Sequence, residues 1–328
     1  MKNIADQIPI VFVHTGNQFY LKNAVKHAAM FNPENQIILI GDKSNQVVTD
    51  YGYKNVKHYF IDAYFDAAKE FGQKYIHLSS NHYKYELFCF QRWFIIRDFM
   101  LREGLNKCLC LDTDVLLYCN ITSEFSPFLK YEFTTCRHST PNATLMKKDS
   151  IERFTDFIQS LYTEEKNINI LKEINNKRFD KDGNRISMGG VSDMTAFALY
   201  QNHVSNNVLD LIYPLNGVCF DGTLSMSDGF HMKDGLKEVV WKDNLPFGRY
   251  GEKGELVRFL GLHFQGRSKM RQHKYLLDDD KNLITIIPFS IRWIMLKAWF
   301  LKYVSGIKKA RYMIFFFWNT YAIKRRIK

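Results

Sequence analysis

The chain has 328 residues, 46% hydrophobic and 24% charged, with 18 Gly and 7 Pro. That composition excludes a disordered or collagen-like chain and leaves enough apolar mass for a large core. The net charge is +11, but residues 281–328 hold 11 Lys/Arg and no Asp/Glu, which leaves 34 charges of each sign in residues 1–280. The excess belongs to the C-terminal stretch and argues against a nucleic-acid-binding body.

In chain order, Ile8–His14 is a short β-rich apolar run closed by Thr15-Gly16-Asn17, a loop signal. Phe19–Phe31 reads as a helix stopped by Asn32-Pro33. Ile37–Ile40 is a second buried strand ending at Gly41-Asp42, Val56–Ile61 a third, and Ala63–Phe71 a short helix ended by Gly72. This β-α-β-α order predicts a largely parallel sheet covered by helices. Tyr85–Arg102 is a long helix with few polar interruptions, so it is expected to be buried on most sides. Cys108–Leu111 then reads as a fully buried strand running into Asp112-Thr113-Asp114 and on into Val115–Leu117.

Residues 134–149 and 175–190 are polar and predict loops. Ser192–Gln201 reads as a helix, followed by Leu211–Pro214 and a Phe259–Phe264 strand, with Asp278-Asp279-Asp280 as a boundary. There is no internal repeat. Cys89, Cys108, Cys110, Cys119, Cys136 and Cys219 lack metal-finger spacing and read as reduced, buried thiols. The start, MKNIADQIPIVFVHTG, has an early acid and only a short apolar run, and is read as neither signal peptide nor anchor.

The chemistry concentrates in two motifs. Asp112 and Asp114 interrupt an otherwise continuous apolar run, and a spacing of two puts both side chains on one side of an extended backbone. Two buried carboxylates need a cation, and at the carboxyl end of a strand they read as a divalent-metal site. In Leu262-His263-Phe264-Gln265-Gly266-Arg267-Ser268-Lys269, an apolar strand delivers a His into a Gly-containing loop with a Lys six residues on. His is a good ligand for a borderline metal such as Mn²⁺, Gly lets a backbone approach a phosphate, and Lys supplies a charge for it. Arg92, on an apolar helix, wants an anion or a carboxylate partner. Thr15, Gly16 and Asn17 serve equally well as helix-capping loop residues.

Together these motifs resemble the GT-A nucleotide-sugar glycosyltransferases, and most of all glycosyltransferase family 8, the group of glycogenin and the bacterial lipopolysaccharide galactosyl- and glucosyltransferases. The likeness rests on a D-x-D after a buried strand, on His263, Gly266 and Lys269 in an H-x-x-G-x-x-K spacing, on an Arg-containing helix before the D-x-D, and on Tyr213-Pro214-Leu215-Asn216. It extends from about Ile8 to Lys269 in the order of elements. The resemblance implies an α/β GT-A fold, a Rossmann-like mixed sheet flanked by helices. It implies Mn²⁺ or Mg²⁺ on Asp112, Asp114 and His263, diphosphate on Gly266 and Lys269, and nucleotide base and ribose at Thr15, Gly16 and Asn17. The family's D-Q-D stands here as Ser192-Asp193-Met194-Thr195, which implies Asp193 as a ligand for sugar hydroxyls; if the enzyme inverts, Asp193 is also the first candidate for general base. The family's Lys-Pro after the motif is Lys269-Met270 here.

Residues 289–328 interleave Trp293, Trp299 and Trp318 with ten cations, and the longest uncharged run, Tyr312–Ile323, has 12 residues against the ~20 needed to span a bilayer. Cations with aromatics suit the lipid headgroup region. The expectation is therefore a GT-A domain at 1–280 and a basic, aromatic, helical tail at 281–328. The tail would attach the protein peripherally to an anionic membrane surface, on the cytoplasmic side. The function expected is transfer of a sugar from a nucleotide-diphosphate donor, UDP-sugar first, to a saccharide or lipid-linked acceptor, with no nucleic-acid partner. Nucleotidyl transfer to a sugar phosphate, or a non-catalytic membrane-surface adaptor with a transferase-like domain, are the alternatives.

Overall fold

The computed structural model describes residues 7–204 and 207–277. The chain divides into two units, Met1–Gln272 and His273–Lys328, and the residues of the site lie in the first. The expected tail at 281–328 lies outside the described residues.

The apolar runs of the first third become parallel strands. β1 (Ile10–His14), β2 (Ile37–Gly41), β3 (Val56–Phe60) and β4 (Lys107–Leu111) lie side by side, with Ile10 opposite both Ile37 and Leu109. Alternate side chains serve two cores, as expected of strands buried on both faces. Val11, Ile38, Ile40, Cys108 and Cys110 face one core, and Ile10, Phe12, Ile37, Leu39 and Leu109 face the other. The connecting helices are α1 (Phe19–Phe31), α2 (Asp66–Lys74) and α3 (Tyr83–Arg102). Asn32 ends α1: fully buried, its side chain donates to Ala28 O and Cys119 O and accepts from Ile121 N–H. α3 buries Phe90, Trp93, Phe94, Ile95, Ile96, Phe99 and Met100, which is why it reads as apolar all round.

β4 leads through the Asp112–Asp114 turn into β5 (Val115–Leu117) and then α4 (Ile121–Phe125). β6 (Phe133–Thr135) and β7 (Ala143–Lys147) follow, then α5 (Lys148–Thr163), α6 (Glu165–Asn176), α7 (Asp193–His203) and β8 (Val208–Asp210). Among the described residues the main sheet has seven strands in the order β3-β2-β1-β4-β7-β6-β8, with β7 antiparallel to both β4 and β6. The mixed α/β sheet flanked by helices is thus as expected.

Residues 134–149 are not the loop their polarity suggested. β7 pairs along the whole of β4, from Lys107↔Lys147 to Leu111↔Ala143. Part of the polar signal came from Thr134, whose hydroxyl is satisfied internally: Oγ1 donates to Ala143 O and accepts from Leu145 N–H. Leu211–Pro214 follows directly on β8. The Phe259–Phe264 run divides between β14 (Glu255–Phe259) and β15 (Gly261–His263). β9 (Val218–Cys219), β12 (Val239–Lys242), β13 (Leu245–Tyr250) and β14 form a second sheet, and β10 (Met232–Lys233) pairs with β11 (Leu236–Lys237). No helix among the described residues is long and apolar enough to cross a membrane.

Candidate active site

The order β3-β2-β1-β4 reverses direction between β1 and β4. Open α/β sheets bind ligands in the crevice outside the carboxyl ends of the strands at such a switch point. Both strand ends meet there: the His14 ring Nδ1 lies 3.0 Å from Thr113 Oγ1. The crevice beside Asp112 is lined by Val13, Arg92, Trp93 and Pro141.

One antiparallel pair delivers the second motif to the first. β15 runs against β5 with His263 opposite Val115, and Phe264 N–H donates to Asp114 O at 3.0 Å. Asp112, Asp114 and His263 each offer a ligand atom, and these atoms lie within 4.8 Å of one another. His263 Nε2 is 3.4 Å from Asp114 Oδ1. His263 Nδ1 is 2.6 Å from Gly222 O, so the ring commits a proton to that carbonyl and turns Nε2 to the carboxylates. An imidazole oriented by a backbone carbonyl, beside two carboxylates, is a donor set that fits a divalent cation of the Mn²⁺ or Mg²⁺ kind.

Two basic side chains complete the cluster. Lys269 Nζ is 2.8 Å from Asp114 Oδ2. Arg92 bridges two acids, with Nη1 2.5 Å from Asp112 Oδ1 and Nη2 2.7 Å from Asp193 Oδ2. The carboxylate partner open to Arg92 in the sequence is therefore one of the D-x-D acids and Asp193 together. Trp93 Nε1 also donates to Asp193 Oδ2, at 3.2 Å. Asp193 stands in the first turn of α7, where the helix dipole favours an acid.

The charges shift one another. Burial alone would push the Asp114 carboxyl up, but His263 and Lys269 outweigh it and hold it well below the usual carboxylate range. Burial would likewise lower His263, yet Asp114, Asp112 and the Gly222 carbonyl raise it to about 9. Burial pulls Lys269 down and Asp114 more than restores it, so its ammonium stays charged.

Of the remaining expected residues, Gly266 opens the 3-10 helix Gly266–Tyr275 at φ +61°, a conformation that suits glycine and turns the chain so that Lys269 faces Asp114. Gly16, at φ +85°, donates its N–H to Asp42 Oδ2 at 2.7 Å, and Asn45 Nδ2 donates to Gly16 O at 3.0 Å. Thr15 and Asn17 are exposed beside it at the end of β1. Four residues of this crevice were not singled out in the sequence: His14, Asp42, Tyr20, whose ring lies 5.1 Å from Lys269 Nζ, and Trp93. His14 and Tyr20 flank the Thr15–Asn17 loop signal in the sequence. The five cysteines other than Cys89 are buried, and all six are free thiols. Asn142, in a glycosylation-type sequon, is buried with Nδ2 donating to Asp221 O.

No protein-family model matches the chain, and no curated protein matches it. Among solved structures the chain is similar to mouse xyloside xylosyltransferase 1, at 11% identity over 62% of this chain and 85% of that one, TM-score 0.46. It is also similar to the galactosyltransferase LgtC in complex with donor and acceptor sugar analogues, at 13% identity over 84% and 99%, TM-score 0.43. A third is the glycosyltransferase GlyE of Streptococcus pneumoniae, at 14% identity over 62% and 45%, TM-score 0.37.

Proposed function

We propose that this chain is a metal-dependent glycosyltransferase of the GT-A type that moves a sugar from a nucleoside-diphosphate donor, a UDP-sugar first, to a saccharide or lipid-linked acceptor. One observation carries the reading. Asp112, Asp114 and His263 converge at the sheet's switch point with Lys269 and Arg92 against the same acids. That arrangement is suited to a dianionic diphosphate bridged to a cation.

Asp112, Asp114 and His263 would hold Mn²⁺ or Mg²⁺, which when bound supplies Lewis-acid neutralisation of the leaving diphosphate. Lys269 and Arg92 bring two further positive charges to the place where that leaving group gathers negative charge. Gly266 and Lys269 bind the phosphates, and the Thr15-Gly16-Asn17 end of β1 binds the nucleoside. Asp193 has both its donors, Arg92 Nη2 and Trp93 Nε1, on Oδ2. Oδ1 is then the oxygen for a sugar or acceptor hydroxyl, as orienting ligand or, in an inverting reaction, as general base. The basic stretch 281–328 attaches the enzyme to an anionic lipid surface on the cytoplasmic side, close to a lipid-linked acceptor.

The test is sugar release and transfer from a panel of radiolabelled nucleotide sugars, with Mn²⁺ and with chelator. Asp112→Asn and Asp114→Asn are expected to abolish turnover while leaving a cooperative thermal transition. Full activity in both variants, or undiminished activity in chelator, contradicts the reading.

A further inference from the structure

Behind His263 lies a buried charge cluster that the chemistry above leaves unused. Lys237, on β11, and Asp221, just after β9, expose 1% and 0% of their side chains and meet at 2.5 Å. Lys237 Nζ also donates to Asp228 Oδ2 at 2.7 Å and to Thr223 O at 3.1 Å. Arg137 Nε closes the cluster at 2.9 Å from Asp228 Oδ1. Apolar side chains often fill such a volume at no loss of stability, so buried charges of this kind call for another reason.

Their contacts supply one. Asp221 Oδ2 accepts the backbone N–H of His263 at 3.0 Å, and the carbonyl of the next residue, Gly222, accepts His263 Nδ1. Asp221's own carbonyl accepts from Asn142 Nδ2 at 3.0 Å, and Asn142's carbonyl accepts from Asp112 N–H at 3.1 Å. A single hydrogen-bonded chain thus runs from Lys237 to both halves of the metal-binding cluster. Gly222 packs directly against the charge cluster. A Cβ there would stand 2.6 Å from Arg137 Cγ and Cδ, so Arg137 lies against the residue whose carbonyl orients the imidazole.

We propose that Asp221 and Lys237 are positioning residues for His263. They clamp the Asp221–Gly222 segment so that Nδ1–H stays committed to the Gly222 carbonyl and Nε2 stays presented to Asp114 and a divalent cation. The proposal rests on the metal-site reading above. Loss of an orienting partner behind a ligating histidine weakens metal affinity by about 10–100-fold.

The experiment compares wild type with Lys237→Met and with the charge-balanced double variant Asp221→Asn/Lys237→Met. Mn²⁺ is titrated into chelator-stripped full-length protein and followed by EPR. The metal-free proteins, labelled with ¹⁵N-histidine, are examined for the downfield, slowly exchanging Nδ1 proton of His263, assigned through its absence in His263→Gln. The expected result is a cooperative melt, a Kd for Mn²⁺ raised about 10–100-fold, and loss or large displacement of the Nδ1 signal. A folded variant that keeps the Nδ1 signal unchanged overturns the proposal, whatever its Mn²⁺ affinity, and so does one whose affinity stays within about twofold. If Lys237→Met does not fold, the double variant decides by the same criteria. A wild type that binds no Mn²⁺ overturns the metal-site reading instead, and the Nδ1 signal alone then decides the clamp.

Discussion

Arg92 is the side chain whose removal the structure penalises most clearly. It is bonded to Asp112 at 2.5 Å and to Asp193 at 2.7 Å, with only 19% of its side chain exposed. Arg92→Met keeps the aliphatic bulk against Trp93 but leaves two acids, 23% and 6% exposed, without their shared cation. Breaking a buried pair costs about 3–5 kcal/mol, and the partial exposure of Asp112 places this case at the lower end, about 3 kcal/mol. For a domain of this size each kcal/mol shifts Tm by about 2–4 °C, so a drop of about 6–12 °C is expected. Arg92→Lys should fall between, because one ammonium cannot span both acids as a planar fork does. Differential scanning calorimetry in chelator measures the loss. Repeating it with excess Mn²⁺ should recover part of the loss, since the metal would neutralise Asp112 but not Asp193. A Tm for Arg92→Met equal to wild type in chelator would refute the pairing on which the site is built.

The same geometry sets three further expectations, and the charge distribution of the sequence a fourth. The His263 pKa, about 9 against an ordinary 6.5, means that its protonated form stabilises the metal-free fold fully below pH 6.5 and that this contribution is lost as pH rises through about 9; Tm in chelator should therefore fall more steeply across that window in wild type than in His263→Gln. Mn²⁺ affinity should rise over the same window, because a ligating histidine must shed its proton, and a flat affinity would remove His263 from the metal. Lys269→Met should weaken nucleoside-diphosphate binding by about 10–150-fold, the worth of a charged hydrogen bond, while changing Mn²⁺ affinity far less; calorimetric titration separates the two. Truncation after Asp280 removes all 11 excess positive charges and should abolish sedimentation with anionic liposomes; a monodisperse truncated protein that still sediments would refute the membrane role of the tail.

The first half of the fold is legible because its strands are buried on both faces and so read as continuous apolar runs, Ile37–Gly41 being the plainest. The D-x-D is legible for the same reason: two acids stand out only where nothing polar is expected. Legibility fails where polar side chains are built into the sheet. Thr134 and Thr144 make β6 and β7 look like loop, although their backbones complete the sheet. The second sheet is short-stranded and carries Lys242, Asp243 and Asn244 at a tight turn, with no apolar run to announce it. Within the site, Asp112, Asp114 and His263 could be paired by motif. The Arg92–Asp193 bridge spans 101 residues and the Lys237–Asp221 pair 16, and neither separation has a periodic signature. Only the folding of α7 beside α3, and of β11 against the Asp221–Leu224 segment, brings those partners together.

The proposed function stands on Asp112, Asp114 and His263 binding a cation that in turn binds a nucleoside-diphosphate sugar. The measurement closest to it is a thermal shift of the full-length protein across a panel of nucleotide sugars, each with Mn²⁺ and with chelator, run in parallel on Asp114→Asn. At least one donor is expected to stabilise wild type by about 2.7 kcal/mol at a hundredfold excess over its dissociation constant. The shift is expected to disappear in chelator and in Asp114→Asn. No shift with any donor in Mn²⁺, or a shift that persists in chelator and in the variant, would contradict it.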